Sequence, residues 1–320
     1  MCGSAGDGRV LERYDAAQAA AHFCPPWRDA DRYLRLQAAI RRLWEGDACE
    51  IHRCPSCGFG FAVPYVGGDE QYYAILHEQH GYPMWRWDYD VALGVVGPSG
   101  GGLALDIGAG TGAFLRALGP GWSRCAVEGS ETTRAILRQS GITVFADLAE
   151  AAARSLHSFQ LVTLFQVLEH IADFRTVLSR CRELIAPGGT LVITVPDCDA
   201  MLAQPSLTGE HDMPPNHVGK WTARSLALAL EAAGFEATHS VFEPSSWKQT
   251  TTHIYGRVRT DGQKPGTLAA AAYRIRRRAA RIPLLALAGA LAAPRLLPRW
   301  RELRRGGAFA TIARPLGSGG

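Results

Sequence analysis

Beyond residue 102 the chain alternates short apolar runs with segments whose apolar positions recur every three or four residues. The runs near 103–107, 124–128, 142–145, 160–165, 190–195, 236–242 and 308–313 predict strands. The periodic segments near 112–118, 131–139, 148–154, 173–185 and 222–233 predict helices. Such alternation over short connections is the pattern of an α/β sheet. Upstream, residues 10–45 read as helical, with Tyr33, Leu34, Leu36, Ile40 and Leu43 forming an apolar stripe. CEIHRCPSCGFGFAVP (49–64) reads as β-like around a Cys-x-x-Cys turn, and the aromatic-rich YYAILHEQHGYPMWRWDYD (72–90) suggests a lid or a substrate wall. GPSGGG (97–102) punctuates the two halves. The expected division is an N-terminal knuckle and lid at 1–98, a core at 99–257, a basic helical insertion at 258–306, and a last strand with its tail at 307–320.

Composition narrows the class. With 47% hydrophobic and 20% charged residues, the 320-residue chain is that of an ordinary globular enzyme. Eight scattered cysteines do not form a secreted disulfide framework, and the opening MCGSAGDGRVLERYD has no basic patch before an apolar run. A cytoplasmic protein is expected. The net charge of +4 conceals an asymmetry: residues 273–305 hold ten Arg against one Glu.

LALDIGAGTGAFLRAL (103–118) carries the chemistry. Gly108, Gly110 and Gly112 follow a strand and open a helix, so Ala109 and its neighbours present backbone directly to a ligand. GAGTGA also satisfies a dinucleotide pattern, with Glu128 placed to meet a ribose, so an NAD-dependent oxidoreductase stays open on this motif alone. Asp106 argues the other way. A carboxylate beside the turn repels a pyrophosphate and attracts a cationic amino-acid moiety such as that of S-adenosylmethionine.

LALDIGAGTG resembles the first motif of class I S-adenosylmethionine-dependent methyltransferases, and four further stretches continue the resemblance in order. AVEGS (126–130) is similar to the end of the second strand, which implies that Glu128, followed by Gly129, accepts from the ribose hydroxyls. FADLAE (145–150) implies that Asp147 accepts from the adenine amine while Leu148 packs on its ring. FQLVTLFQVLEHIAD (159–173) resembles the fourth-strand motif, where Gln166 and Val167 would line the methionine portion; relatives often carry Asp at the position of Gln166. LSRCRELIAPGGTLVITVPD (178–197) resembles the following helix, turn and fifth strand. The family implies a Rossmann-like seven-stranded sheet, mostly parallel with an antiparallel last strand (AFATIARP, 308–315), and S-adenosylmethionine as cofactor.

The acceptor belongs beyond the carboxyl ends of the fourth and fifth core strands. His170 and, in the loop HDMPPNHVGK (211–220), His217 are the candidate bases; His211, Asp212 and Asn216 gather around the second. Each histidine equally suits a role in ordering its loop. Tyr72, Tyr73, Trp85, Trp87 and Tyr89 are candidates for a wall that excludes water and offers cation–π contact. Cys54 and Cys57 form half of a zinc knuckle, for which Cys24, Cys49, His22 and His52 are the remaining candidate ligands; reduced cysteines without metal are the favoured reading.

In RIRRRAARIPLLALAGALAAPRLLPRWRELRR (274–305), prolines and Arg295 interrupt an apolar run too short to span a bilayer. It reads as helices beside the sheet, with peripheral membrane contact as the alternative. Nucleic acid is disfavoured because the rest of the chain is acidic. The resulting expectation is a methyltransferase acting on a small-molecule acceptor, such as a sugar, glycolipid or secondary-metabolite precursor. Its rivals are the oxidoreductase and a non-catalytic binding protein that retains the fold.

Overall fold

A computed structural model describes residues 8–78, 85–209 and 212–317. The N-terminal part is a small module: strand β1 (Arg9–Asp15), helices α1 (Ala16–Phe23) and α2 (Ala30–Trp44), strands β2 (Ala48–Arg53) and β3 (Gly60–Val63), then α3 (Glu70–His77). Asp15 starts α1 through a reciprocal cap with Gln18, so the chain leaves β1 at a defined angle. β1 is a strand where the periodicity of residues 10–45 suggested helix; its pairing with β2 overrides the local pattern. Leu36, Ile40, Trp44 and Ile51 bury the module's own core.

Helix α4 (Trp87–Val96) bridges to the main sheet, which contains β4 (Gly102–Ile107), β5 (Trp122–Val127), β6 (Thr143–Phe145), β7 (Phe159–Phe165), β8 (Ile185–Pro196), β10 (Phe235–Phe242) and β11 (Ala308–Pro315). Helices α5 (Ala113–Ala117), α6 (Glu131–Gln139), α7 (Leu148–Ser155), α8 (Phe174–Leu184), α9 (Cys198–Leu207) and α10 (Ala223–Ala232) connect them. The order across the sheet is β10-β11-β8-β7-β4-β5-β6. β11 runs antiparallel to both neighbours and the central pairs are parallel. The largely apolar sequences of β7 and of the second half of β8 follow from burial on both faces. Fully buried Leu164, Ile193 and Phe309 each contribute about 1.5–3 kcal/mol of burial free energy. All seven expected core strands are present, and the sheet is the mixed α/β architecture that the pattern implied.

β9 (Gly219–Lys220) lies far along the chain yet pairs with β3, so the second sheet has the order β1-β2-β3-β9. Between β10 and β11 stand helices α11 (Trp247–Asp261), α12 (Leu268–Tyr273), α13 (Arg278–Leu296) and α14 (Trp300–Arg304). This helical run begins at Trp247, inside the segment 99–257 expected to form the core. Pro283 and Pro294 lie within α13 without breaking it, contrary to the reading of an interrupted run.

Candidate functional site

The turn between β4 and α5 is shaped by contacts that only glycine permits. Gly108 has φ +73°, and a Cβ there would lie 2.6 Å from Val167 Cγ2. Gly112 has φ +77° with Leu137 pressed equally close. Ala109 is buried between them. At the end of β5, Glu128 ties the turn to the neighbouring strand: Gly110 N–H donates to its Oε2 at 3.1 Å and Ser130 N–H to its Oε1 at 3.0 Å. A Cβ on the adjacent Gly129 would meet nothing within 4 Å.

Asp106 does not rim this turn; it is buried beneath it, 3% exposed. Burial raises its carboxyl to about 7, with the nearby Asp88 adding to the rise and a 2.8 Å hydrogen bond from Thr163 Oγ1 opposing it. Asp88 is wholly buried at the start of α4, where Arg86 grips both of its oxygens at 3.0 and 2.6 Å and Thr194 Oγ1 donates at 2.7 Å. Three carboxylates (Asp88, Asp106 and Glu128) thus gather near one guanidinium, a charge balance that suits a cationic ligand and opposes an anionic one. The residues present therefore fit a sulfonium-bearing amino acid. Sequence reasoning passed over Asp88, Arg86 and Thr194; acids set between the aromatics of WRWDYD were the available signal.

Gln166 adopts φ +57°, unusual for a side-chain-bearing residue, and its N–H donates to Thr194 O at 2.9 Å. This conformation ends β7 and swings Val167 under Gly108. Asp147 is exposed and caps α7, accepting from Glu150 N–H at 2.8 Å, while Leu148 packs partly against the main core.

Past β7 a tight turn (Leu168–His170) carries the second cluster. Glu169 is fully buried, neither of its oxygens has a hydrogen-bond partner among the described residues, and burial raises its carboxyl to about 7 against the pull of His217. His170 Nδ1 lies 2.7 Å from the carbonyl of Asn216, which can only accept, so in the neutral ring Nδ1 carries the proton. Its Nε2 is 3.8 Å from Glu169 Oε1. His217 stacks obliquely on His170 with centroids 4.7 Å apart, and donates from Nδ1 to Asp212 Oδ1 at 2.5 Å. Burial works against a charged His217, yet Asp212 prevails and raises its pKa. Asp212, despite its own burial, is held well below the usual carboxylate range by His217 and by Lys220, whose ammonium donates to Asp212 Oδ2.

The loop is held from both sides: Val218 N–H donates to Glu169 O, and Ala62 N–H of β3 donates to Val218 O, both at 2.9 Å. One ligand atom each from Glu169, His170 and His217 lie within 4.8 Å of one another, so these three are the described residues able to hold a metal ion. His217 also lines a cavity of about 240 Å³ with Pro196, Met201, His253, Glu302 and Arg305. The sequence pattern alone does not mark Glu169 or Lys220 as site residues, although the carboxylate beside a candidate histidine is a signal for the first.

The aromatic candidates disperse. Tyr72 is buried in the N-terminal core, Tyr73 Oη stands 3.3 Å from His170 Nδ1, Tyr89 packs on Phe165, and Trp85 is exposed. The knuckle cysteines also divide: Cys57 joins the main core and Cys54 packs against it, whereas Cys24 and Cys49 lie in the N-terminal core. Among the described residues, no cluster of metal-type ligands includes Cys54 or Cys57. His211 lies outside the described residues.

A profile of the methyltransferase domain matches residues 98–240. The ubiquinone biosynthesis O-methyltransferase of Citrobacter koseri is 28% identical over 166 residues, 50% of this chain and 58% of that protein. The protein of the same name from Cereibacter sphaeroides is 43% identical over 56 residues, 17% and 23% of the two chains. This chain thus spans little more than half the length of the first relative. An S-adenosylmethionine-dependent methyltransferase from Mesorhizobium loti aligns over 71% of this chain and 97% of its own, at 18% identity and a TM-score of 0.44. The glycine turn, the sheet order and the profile agree that residues 98–240 form a methyltransferase domain of the class I S-adenosylmethionine-dependent type.

Proposed function

We propose that the chain methylates a hydroxyl group of a small-molecule acceptor, with S-adenosylmethionine as donor and His217 as the base. When bound, S-adenosylmethionine supplies a methyl group on a positively charged sulfur, which makes that carbon electrophilic. Gly108, Gly110 and Glu128 would hold its nucleoside part, and the negative charge of Asp106 beneath the turn would favour its cationic part. The observation that carries the reading is the Asp212–His217 pair, poised beside a cavity at the end of β8.

Asp212 keeps the His217 ring oriented with Nδ1 protonated, which leaves Nε2 as the acceptor for a hydroxyl proton. Glu169 stabilises the resulting imidazolium by charge. His170, fixed by Asn216, orients the same edge. A hydroxyl acceptor needs such a base because it is a weak nucleophile until its proton leaves. The O-methyltransferase relatives support this reading. The division into knuckle, core and insertion suits it too, the insertion closing one wall of the cavity through Glu302 and Arg305.

The test is His217→Ala. Turnover falls roughly 100-fold, while S-adenosylhomocysteine affinity measured by calorimetry stays within about twofold; unchanged turnover sinks the assignment. A second reading rests on the convergence of Glu169, whose oxygens have no hydrogen-bond partner among the described residues, with His170 and His217: together they would seat a divalent cation that acidifies the acceptor hydroxyl. Turnover abolished by a chelator and restored by added magnesium or manganese favours the cation; indifference to chelation favours the unaided base.

A further inference from the structure

We propose that the outward face of α13 is a docking surface for an anionic phospholipid bilayer. Residues Arg278–Arg304 form a helical stretch long and apolar enough to cross a membrane, yet its topology forbids crossing. The chain leaves the sheet at β10 and re-enters at β11, and these strands are paired through Phe242 and Phe309. Both ends of the helical run are thereby anchored at one sheet edge, and Gly289 of α13 lies against Ile254 of α11. A helix held this way lies along a membrane surface.

The exposed face is apolar without interruption. Ile282, Leu287 and Leu291 are 54%, 50% and 60% exposed, with Ala286 and Ala290 exposed between them. No charged residue falls between Arg281 and Arg295. A core helix would bury this stripe, and a helix facing water alone would carry polar groups there. A cleft of about 470 Å³ between α11 and α13, lined by Tyr255, Ile282 and Leu285, widens the apolar surface.

Charge identifies the occupant. Exposed Arg274, Arg276, Arg277 and Arg278 precede the stripe, and exposed Arg295 and Arg301 follow it. An apolar stripe between arginine clusters is complementary to acyl chains beneath a layer of anionic headgroups. A second copy of the chain would set the same arginines against each other. α11 packs against both α13 and α14, and α11 and α14 supply His253 and Glu302 to the cavity beside His217, so docking brings that cavity's wall toward the bilayer. That last consequence rests on the function proposed above; the docking itself does not.

The test uses the full chain with vesicles of phosphatidylcholine, with or without phosphatidylglycerol, in a sedimentation assay. The expected result is binding to the mixed vesicles that weakens as salt rises, and none to phosphatidylcholine alone. Leu287→Glu with Leu291→Glu, and separately Arg276→Glu with Arg277→Glu, reduce binding at least about tenfold. S-adenosylhomocysteine binding by each variant shows that its fold is intact. The proposal is overturned if the wild-type chain ignores anionic vesicles at low salt, or if both variants bind as it does. It is equally overturned if ultracentrifugation shows a dimer that the leucine variant splits, because the face then belongs to a second copy. Vesicle binding with the His217 assignment refuted would leave the docking surface standing.

Discussion

Glu128 offers the most direct check on the donor site, because one side chain does two separable things. Its carboxylate accepts from Gly110 N–H and Ser130 N–H, tying the glycine turn to the end of β5. A hydrogen bond to a charged acceptor contributes about 1.5–3 kcal/mol when shielded, but this group is only partly buried, and about 1 kcal/mol each is the appropriate discount. Glu128→Ala therefore costs about 2 kcal/mol of stability, or roughly 4–8 °C in Tm for a domain of this size. Glu128→Gln keeps one oxygen as acceptor and loses about half of that. On the proposed placement of the nucleoside, ligand affinity falls further than stability does, since the alanine variant loses the turn's anchor and with it the acceptor proposed for the ribose: at least about 30-fold in calorimetric titration with S-adenosylhomocysteine. The two readouts, a thermal melt of the free protein and the titration, separate the roles. If Glu128→Ala binds within twofold of wild type, the glycine turn is not the donor site and the placement of the nucleoside is wrong.

Three further outcomes follow from the geometry. Asp106 has a folded value of about 7 against an ordinary 3.8, so its contribution to stability is complete below pH 3.8 and is lost as pH rises to about 7; Glu169 adds to the same slope. Asp106→Asn flattens that slope in urea titrations, and the wild type binds S-adenosylmethionine roughly tenfold more tightly at pH 7.5 than at pH 5.5, because only the ionised acid attracts the cation. Gly108→Ala combines a left-handed φ with the Val167 contact and destabilises by about 2–5 kcal/mol in urea unfolding, whereas Gly129→Ala, with open space at its Cβ, leaves stability unchanged. Asp212→Asn strands the buried Lys220 and costs about 3–5 kcal/mol; adding Lys220→Met restores stability without restoring turnover, and recovery of both would show that Asp212 serves the fold alone.

The core was legible in the amino-acid sequence because each of its signals is local. Apolar runs mark strands that are buried on both faces, and the glycines of 108–112 mark the one turn where backbone must approach Val167. Asp15, Ser130 and Asp173 begin helices by bonding to amides three residues ahead. The pairing of β1 was not legible, since its residues share their pattern with a helix and only β2 decides between them. Nor was the packing of the loop that carries His217, though the loop itself was: it is held by Glu169 on one side and by β3 on the other, and its continuation Gly219–Lys220 completes the N-terminal sheet. Residue types determined which groups can bear charge and where the backbone must bend. The three-dimensional packing alone decided that Asp106 is sunk below the turn, that Asp88 joins it from α4, and that Glu169 faces two histidines, because burial and distance, which set the charge on these groups, depend on segments far apart in the chain.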